Sequence, residues 1–142
     1  GIIILVTCAG GVLKQILIDS GLGNIFAKYL ISSNLPPLLL AFTTAMIIRI
    51  AQGSATVAML TSSGLIASIL GDLNYSEQML ALLVISIAAG ATCFSHVNDS
   101  GFWLVNRYLG LSVPDTLRTW SVTTGLIGVV SILLILIISN FI

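Results

Sequence analysis

The stretch "RIAQGSATVAML" (residues 49–60) places an arginine, a glutamine, a glycine and several small polar residues in the middle of an apolar run extending over 36–70. That run is too long for one simple membrane span of about 20 residues and too short for two spans with a loop. Its polar centre, 49–56, divides it into halves of roughly a dozen residues each, a length typical of re-entrant pieces. The pair Pro36-Pro37 is a good helix start. The pattern predicts a helical hairpin over 36–70 that enters and leaves the bilayer on one side. A single long helix with a polar middle is the alternative.

A second interruption, "GATCFSHVNDSGFW" (residues 90–103), repeats the theme. Residues 79–91 are apolar, 92–100 are polar and small, and 101–109 return to apolar and aromatic. This predicts one discontinuous transmembrane helix over 79–109.

Composition requires a membrane setting for both. Hydrophobic residues make up 57% of the 142-residue chain and charged ones 7%, with a mean hydropathy of +1.14. A soluble domain carries about 25% charged residues, so this chain cannot cover its surface in water. The formal charge of +0 argues against a nucleic-acid or polybasic partner. Cys8 and Cys93 lie in apolar runs without metal or disulfide spacing and read as small buried hydrophobes. No cofactor or metal is expected.

The rest of the chain fills in an all-α polytopic membrane protein. Residues 1–12 read as the end of a transmembrane helix and, with no initiator Met or signal pattern, suggest the C-terminal part of a longer protein. Residues 13–30 carry apolar positions at helical spacing with Lys14, Gln15, Asp19, Asn24 and Lys28 mostly elsewhere, the pattern of an interfacial amphipathic helix. A helix that instead enters the protein with Lys14 and Asp19 paired is the alternative. Residues 71–78 read as a loop. The segment holding Arg107 and Arg118 reads as another loop, and 119–140 as the final span, plainest over 122–138. The two arginines against Asp72 and Glu77 put the 107–118 loop in the cytoplasm and the C-terminus outside.

Non-helical backbone at membrane depth leaves N–H and C=O groups unpaired at several kcal/mol each. Two consecutive broken elements are therefore the pattern of a secondary transporter with a midplane substrate site. An arginine at the centre of a span costs about 2.5–3.5 kcal/mol, so Arg49 needs a partner or a ligand, and its planar fork suits a carboxylate. A permanent Arg49–Asp99 ion pair is the competing reading. Gln52, Ser54, Thr56, Ser95 and Asn98 offer hydrogen bonds to hydroxyls, although each alone could equally satisfy broken backbone. Together they favour a polyhydroxylated anion. His96 and Asp99 are the titratable groups of the second break and the candidate proton carriers; a Na⁺ site would use backbone carbonyls and hydroxyls instead. "SHVNDS" also invites a hydrolase, but Ser95 and His96 are adjacent and no G-x-S-x-G elbow is present. A channel is the remaining class, less suited to a buried arginine between broken helices.

"GGVLKQILIDSGLG" (10–23), "RIAQGSATVAMLTSSGL" (49–65) and "SHVNDSGFWLVNRYLGLSVPDTLRTW" (95–120) resemble the C-terminal third of the gluconate:proton symporter family, the gluconate permeases. The resemblance implies import of gluconate or a related sugar acid across the bacterial inner membrane, driven by protons. It also implies a half repeat like those of a broad ion-transporter superfamily. On that pattern 36–70 is the re-entrant hairpin, 79–109 the unwound helix and 13–30 the interfacial arm, moving as an elevator. The implied partners are the sugar-acid anion, protons, the lipid bilayer and the N-terminal remainder of the same chain; a homodimer is one assembly open to it.

Overall fold

The computed structural model describes residues 35–70 and 75–142. The expectations for 1–12 and 13–30 lie outside the described residues, as do residues 71–74 of the expected 71–78 loop. Every regular element among the described residues is helical: α1 (Pro37–Gln52), α2 (Ala55–Leu70), α3 (Glu77–Thr92), α4 (Ser100–Tyr108), α5 (Val113–Thr116) and α6 (Val122–Ile138). A π-helical turn, Leu117–Ser121, joins α5 to α6, and a 3-10 turn, Ser139–Phe141, closes the chain.

Each boundary has a local cause. Pro37 occupies the first turn of α1, where its missing N–H costs nothing. Gly53 ends α1 in the left-handed region at φ 77°, its N–H donating to the Arg49 carbonyl at 2.8 Å. Ser54 then starts α2 by accepting from the Val57 N–H at 3.3 Å. Ser76 caps α3 through Met79 N–H. That helix ends where Cys93 turns extended and Phe94 takes φ 50°. Asp99 caps α4 by accepting from the Gly101 N–H at 3.0 Å.

Helix α3 is the hub, packing against α1 and α2 on one side and α6 on the other, while α1 and α2 also pack on each other. The core runs through Leu38, Ala41, Phe42 and Ala45 of α1, Ala58 and Ile66 of α2, and Leu82, Leu83 and Ile87 of α3. From α6, Ile132 and Ile135 join it. Gly128 of α6 faces Cys93 so closely that a Cβ there would overlap the thiol sulfur. Small residues at a helix crossing allow this approach, and in lipid such packing replaces the hydrophobic drive that water would supply. Val122, Leu126, Val129, Val130, Leu133 and Leu134 of α6 are exposed, an apolar surface suited to acyl chains.

The helix from Val113 to Phe141 is 29 residues long and apolar enough to cross a membrane. The other three apolar helices are shorter: α1, α2 and α3 each have 16 residues, about 24 Å of helix against a hydrocarbon core of about 30 Å.

The segment expected to be a loop around 107–118 is mostly helical. Helix α4 runs through Arg107 to Tyr108, and a new helix begins at Val113. The cause is a strong start signal: Ser112 accepts from the Asp115 N–H at 3.2 Å, Pro114 sits in the first turn, and Asp115 places a negative charge there. Arg118 therefore lies in the π-helical turn, ahead of α6.

Candidate functional site

Arg49 stands in the last turn of α1, where a cation complements the helix dipole. It is only 5% exposed. Its Nη1 donates to the Gly53 carbonyl, one of the acceptors freed where α1 stops. Its Nη2 donates to Oδ2 of Asp99, forming a buried ion pair between the first break and the second. Nε is buried and has no hydrogen-bond partner. The Arg49–Asp99 pair weighed at the level of sequence is thus present, with the guanidinium Nε left unpartnered.

Asp99 accepts three donors: Arg49 Nη2 and Ser95 Oγ on Oδ2, and the Gly101 N–H on Oδ1. The direction of the Ser95 hydroxyl is fixed from behind. The Trp120 indole, which can only donate, gives its Nε1–H to Ser95 Oγ at 2.9 Å. Ser95 Oγ accepts there, so its own proton points to Asp99.

The backbone of Ser95 is held by the same part of the last helix. Its N–H donates to Thr124 Oγ1 at 3.1 Å, and Ser121 Oγ donates to its carbonyl. Trp120 and Ser121 belong to the π-helical turn or its edge, whose extra residue per turn changes which side chains face the break; such turns are frequent at functional sites. Trp120, Ser121 and Thr124 were not among the residues singled out from sequence. Trp120→Phe, which removes the donor and keeps the ring, is expected to cost about 1 kcal/mol in equilibrium unfolding in detergent. Unchanged stability would mean that the indole does not restrain Ser95.

The remaining candidates divide by role. His96 Nε2 and Asn98 Nδ2 both meet the Ile50 carbonyl, at 3.0 and 2.9 Å. A carbonyl only accepts, so His96 carries its proton on Nε2 in this arrangement. Both residues therefore satisfy a last-turn carbonyl of α1 across the gap, for Asn98 the backbone role that sequence left open. Ser54 Oγ accepts the capping bond of α2. Thr56 is exposed, and Gln52 has a buried Oε1 with no partner. The hydroxyls of Thr44, Thr61, Ser62 and Ser86 are likewise buried without partners. They lie in mid-helix, where neither break drew attention to them. His96 does not pair with Ser95; its ring meets the Ile50 carbonyl, while Ser95 Oγ is bonded to Asp99 and Trp120. A groove of about 340 Å³ between α2 and α3, lined by Ser63, Ile66, Leu83 and Ile87 among others, is apolar and contains none of these candidates.

The family model described as GntP family permease matches residues 1–142. The chain belongs to the GntP permease family. It is 46% identical over 130 residues to a low-affinity gluconate transporter of Escherichia coli (strain K12), covering 92% of this chain and 29% of that protein. It is 42% identical over 137 residues to the Gnt-II system L-idonate transporter of the same organism, covering 96% and 30%. A gluconate permease of Bacillus subtilis (strain 168) is 41% identical over 139 residues, covering 98% and 30%. The chain corresponds to the C-terminal part of these relatives and spans about 30% of their length. No solved structure matches it.

Among the described residues, this GntP chain forms a polar junction where the two helix breaks meet. Arg49, Asp99 and a set of orienting donors share it, with the guanidinium Nε and the Gln52 Oε1 unspent.

Proposed function

We propose that this chain is part of a secondary transporter that imports gluconate or a related sugar acid across the bacterial inner membrane by proton symport. It is read as a multi-pass protein with a periplasmic C-terminus, its α1–α2 hairpin re-entrant and its α3–α4 pair an unwound span. The observation that carries the reading is the buried arginine shared between two helix breaks, with its Nε unpartnered. Relatives named for gluconate and L-idonate transport support a sugar acid as the substrate class.

Arg49 receives the substrate carboxylate, because a guanidinium offers two parallel donors to it. Gln52, with its free Oε1, accepts from a substrate hydroxyl, and Asn98, Ser54, Thr56 and Ser95 stand near enough in sequence to the same two breaks to contribute further hydrogen bonds. His96 or Asp99 carries the proton. The N-terminal remainder of the permease supplies the rest of the enclosure.

The test is uptake of labelled gluconate by vesicles containing the full-length permease, with and without an imposed inward proton gradient. Accumulation only with the gradient, collapsed by a protonophore, is the expected result. Flux that simply follows the gluconate gradient would make the protein a channel. Accumulation that follows a Na⁺ gradient instead would replace the coupling ion.

A further inference from the structure

The geometry points to a single coupling device: the substrate carboxylate and Asp99 compete for Arg49, and Asp99 takes up one proton when it loses that contest. Transport is then electroneutral, one proton per monovalent anion. This rests on the sugar-acid symport reading and goes beyond it by fixing which group titrates and how many protons move.

Charge counting in a low-dielectric site gives the argument. With no substrate, Arg49 and Asp99 form the only ion pair among the described residues, and the junction carries no net charge. Asp99 then accepts from three donors, Arg49, Ser95 and Gly101, with one acceptor site left on Oδ1. A proton bound there while Arg49 has no other anion would leave the junction one charge positive. A monovalent carboxylate arriving on Arg49 makes the junction one charge negative if Asp99 stays ionised. Uncompensated buried charge is expensive, so that state is avoided.

A proton from the outer aqueous side bonds to an Asp99 carboxylate oxygen and restores zero. Substrate and proton then cross together, because each alone leaves the junction charged. On the inner side the anion leaves, Asp99 releases its proton to water, and the Arg49 guanidinium returns to the carboxylate.

The unpartnered Nε is where exchange begins. An incoming carboxylate bonds this free donor before Asp99 lets go, so Arg49 is never left without an anion. The groups facing Asp99 agree with the assignment. From α1 there is Arg49; within the break, Ser95; from the last helix, Trp120 acting through Ser95. His96 is turned to the Ile50 carbonyl.

Proteoliposomes containing the full-length permease separate the two driving forces. With labelled gluconate, an outside-acidic gradient at zero potential is expected to drive accumulation approaching about tenfold per pH unit, the ratio for one proton per anion. An inside-negative potential at equal pH is expected to drive none. Accumulation driven by potential alone would overturn the electroneutral stoichiometry while leaving sugar-acid symport standing. No gluconate uptake under any gradient would remove the symport reading and this proposal together.

Substitutions identify the group. Asp99→Asn, which mimics the protonated state, is expected to lose the proton-driven accumulation, and Asp99→Glu to restore part of it. Proton-driven accumulation persisting in Asp99→Asn would overturn the assignment. If that variant fails to assemble, the two-gradient measurement on the unmodified protein still decides the stoichiometry.

Discussion

Arg49→Ala is expected to destabilise the permease by about 3–5 kcal/mol and to abolish sugar-acid uptake. The stability loss follows from what remains behind. Asp99 would be buried without its cation, and the Gly53 carbonyl would lose the donor that replaces a helical one. Breaking a buried pair by removing one partner costs this much because the other charge is stranded. Removing both partners is different. Arg49→Ala combined with Asp99→Ala should recover most of the lost stability, measured by equilibrium unfolding in detergent, yet recover no uptake. Arg49→Lys divides the roles in another way. The ammonium keeps the charge opposite Asp99 but has no planar fork. Uptake should fall at least about tenfold, equivalent to 1.4 kcal/mol of lost binding or transition-state contact, with amounts of folded protein near normal. Near-normal uptake by Arg49→Lys would show that the guanidinium holds the fold together and does not receive the substrate.

Much of this junction could be read from composition alone, because lipid makes polar residues conspicuous. Arg49 and Asp99 stand out in apolar runs, where each needs either the other or a ligand, and glycine, serine and asparagine clustered there mark where helices stop. The helix ends at Gln52 and Thr92 fall inside the two polar stretches. The donors behind the site were harder to see. Trp120 and Ser121 sit in "LRTWS", at the boundary between the expected loop and the expected final span, and their partner Ser95 is 25 and 26 residues away. Thr124 stands in a run that reads as plain span. No period in the sequence reports that a π-helical turn brings them to one place. That contact belongs to tertiary packing, made possible by Gly128 beneath Cys93.

The early start of the last helix was legible, by contrast. Ser112, Pro114 and Asp115 form a recognisable helix opening, outweighed in the reading by the two flanking arginines. Ser54 carried a similar signal, a small hydroxyl just ahead of an apolar run, and its oxygen accepts the capping bond.

Gly53→Ala is expected to cost about 2–5 kcal/mol and to remove uptake together with the folded protein, although it adds a single methyl group. Two separate effects add. Gly53 has φ 77°, and an alanine forced into the left-handed region loses about 1–2 kcal/mol. Its Cβ would also overlap the Asn98 carbonyl, and overpacking of this kind costs about 1–3 kcal/mol. The overlap matters for function because Gly53 and Asn98 belong to different breaks. The missing side chain lets the two interrupted helices meet backbone to backbone, close enough for Arg49 to reach Asp99 and for Asn98 to reach Ile50. Gly53→Asn isolates the second effect, since asparagine tolerates the left-handed conformation better than alanine does while presenting the same clash. Ser54→Ala isolates simple loss of the cap of α2, at about 1 kcal/mol. If Gly53→Asn were as stable as the unmodified protein, the close contact between the breaks would be excluded, and Arg49 would have to reach Asp99 across a wider gap. If both Gly53 variants fall well below Ser54→Ala, the site depends on that backbone contact between the two breaks.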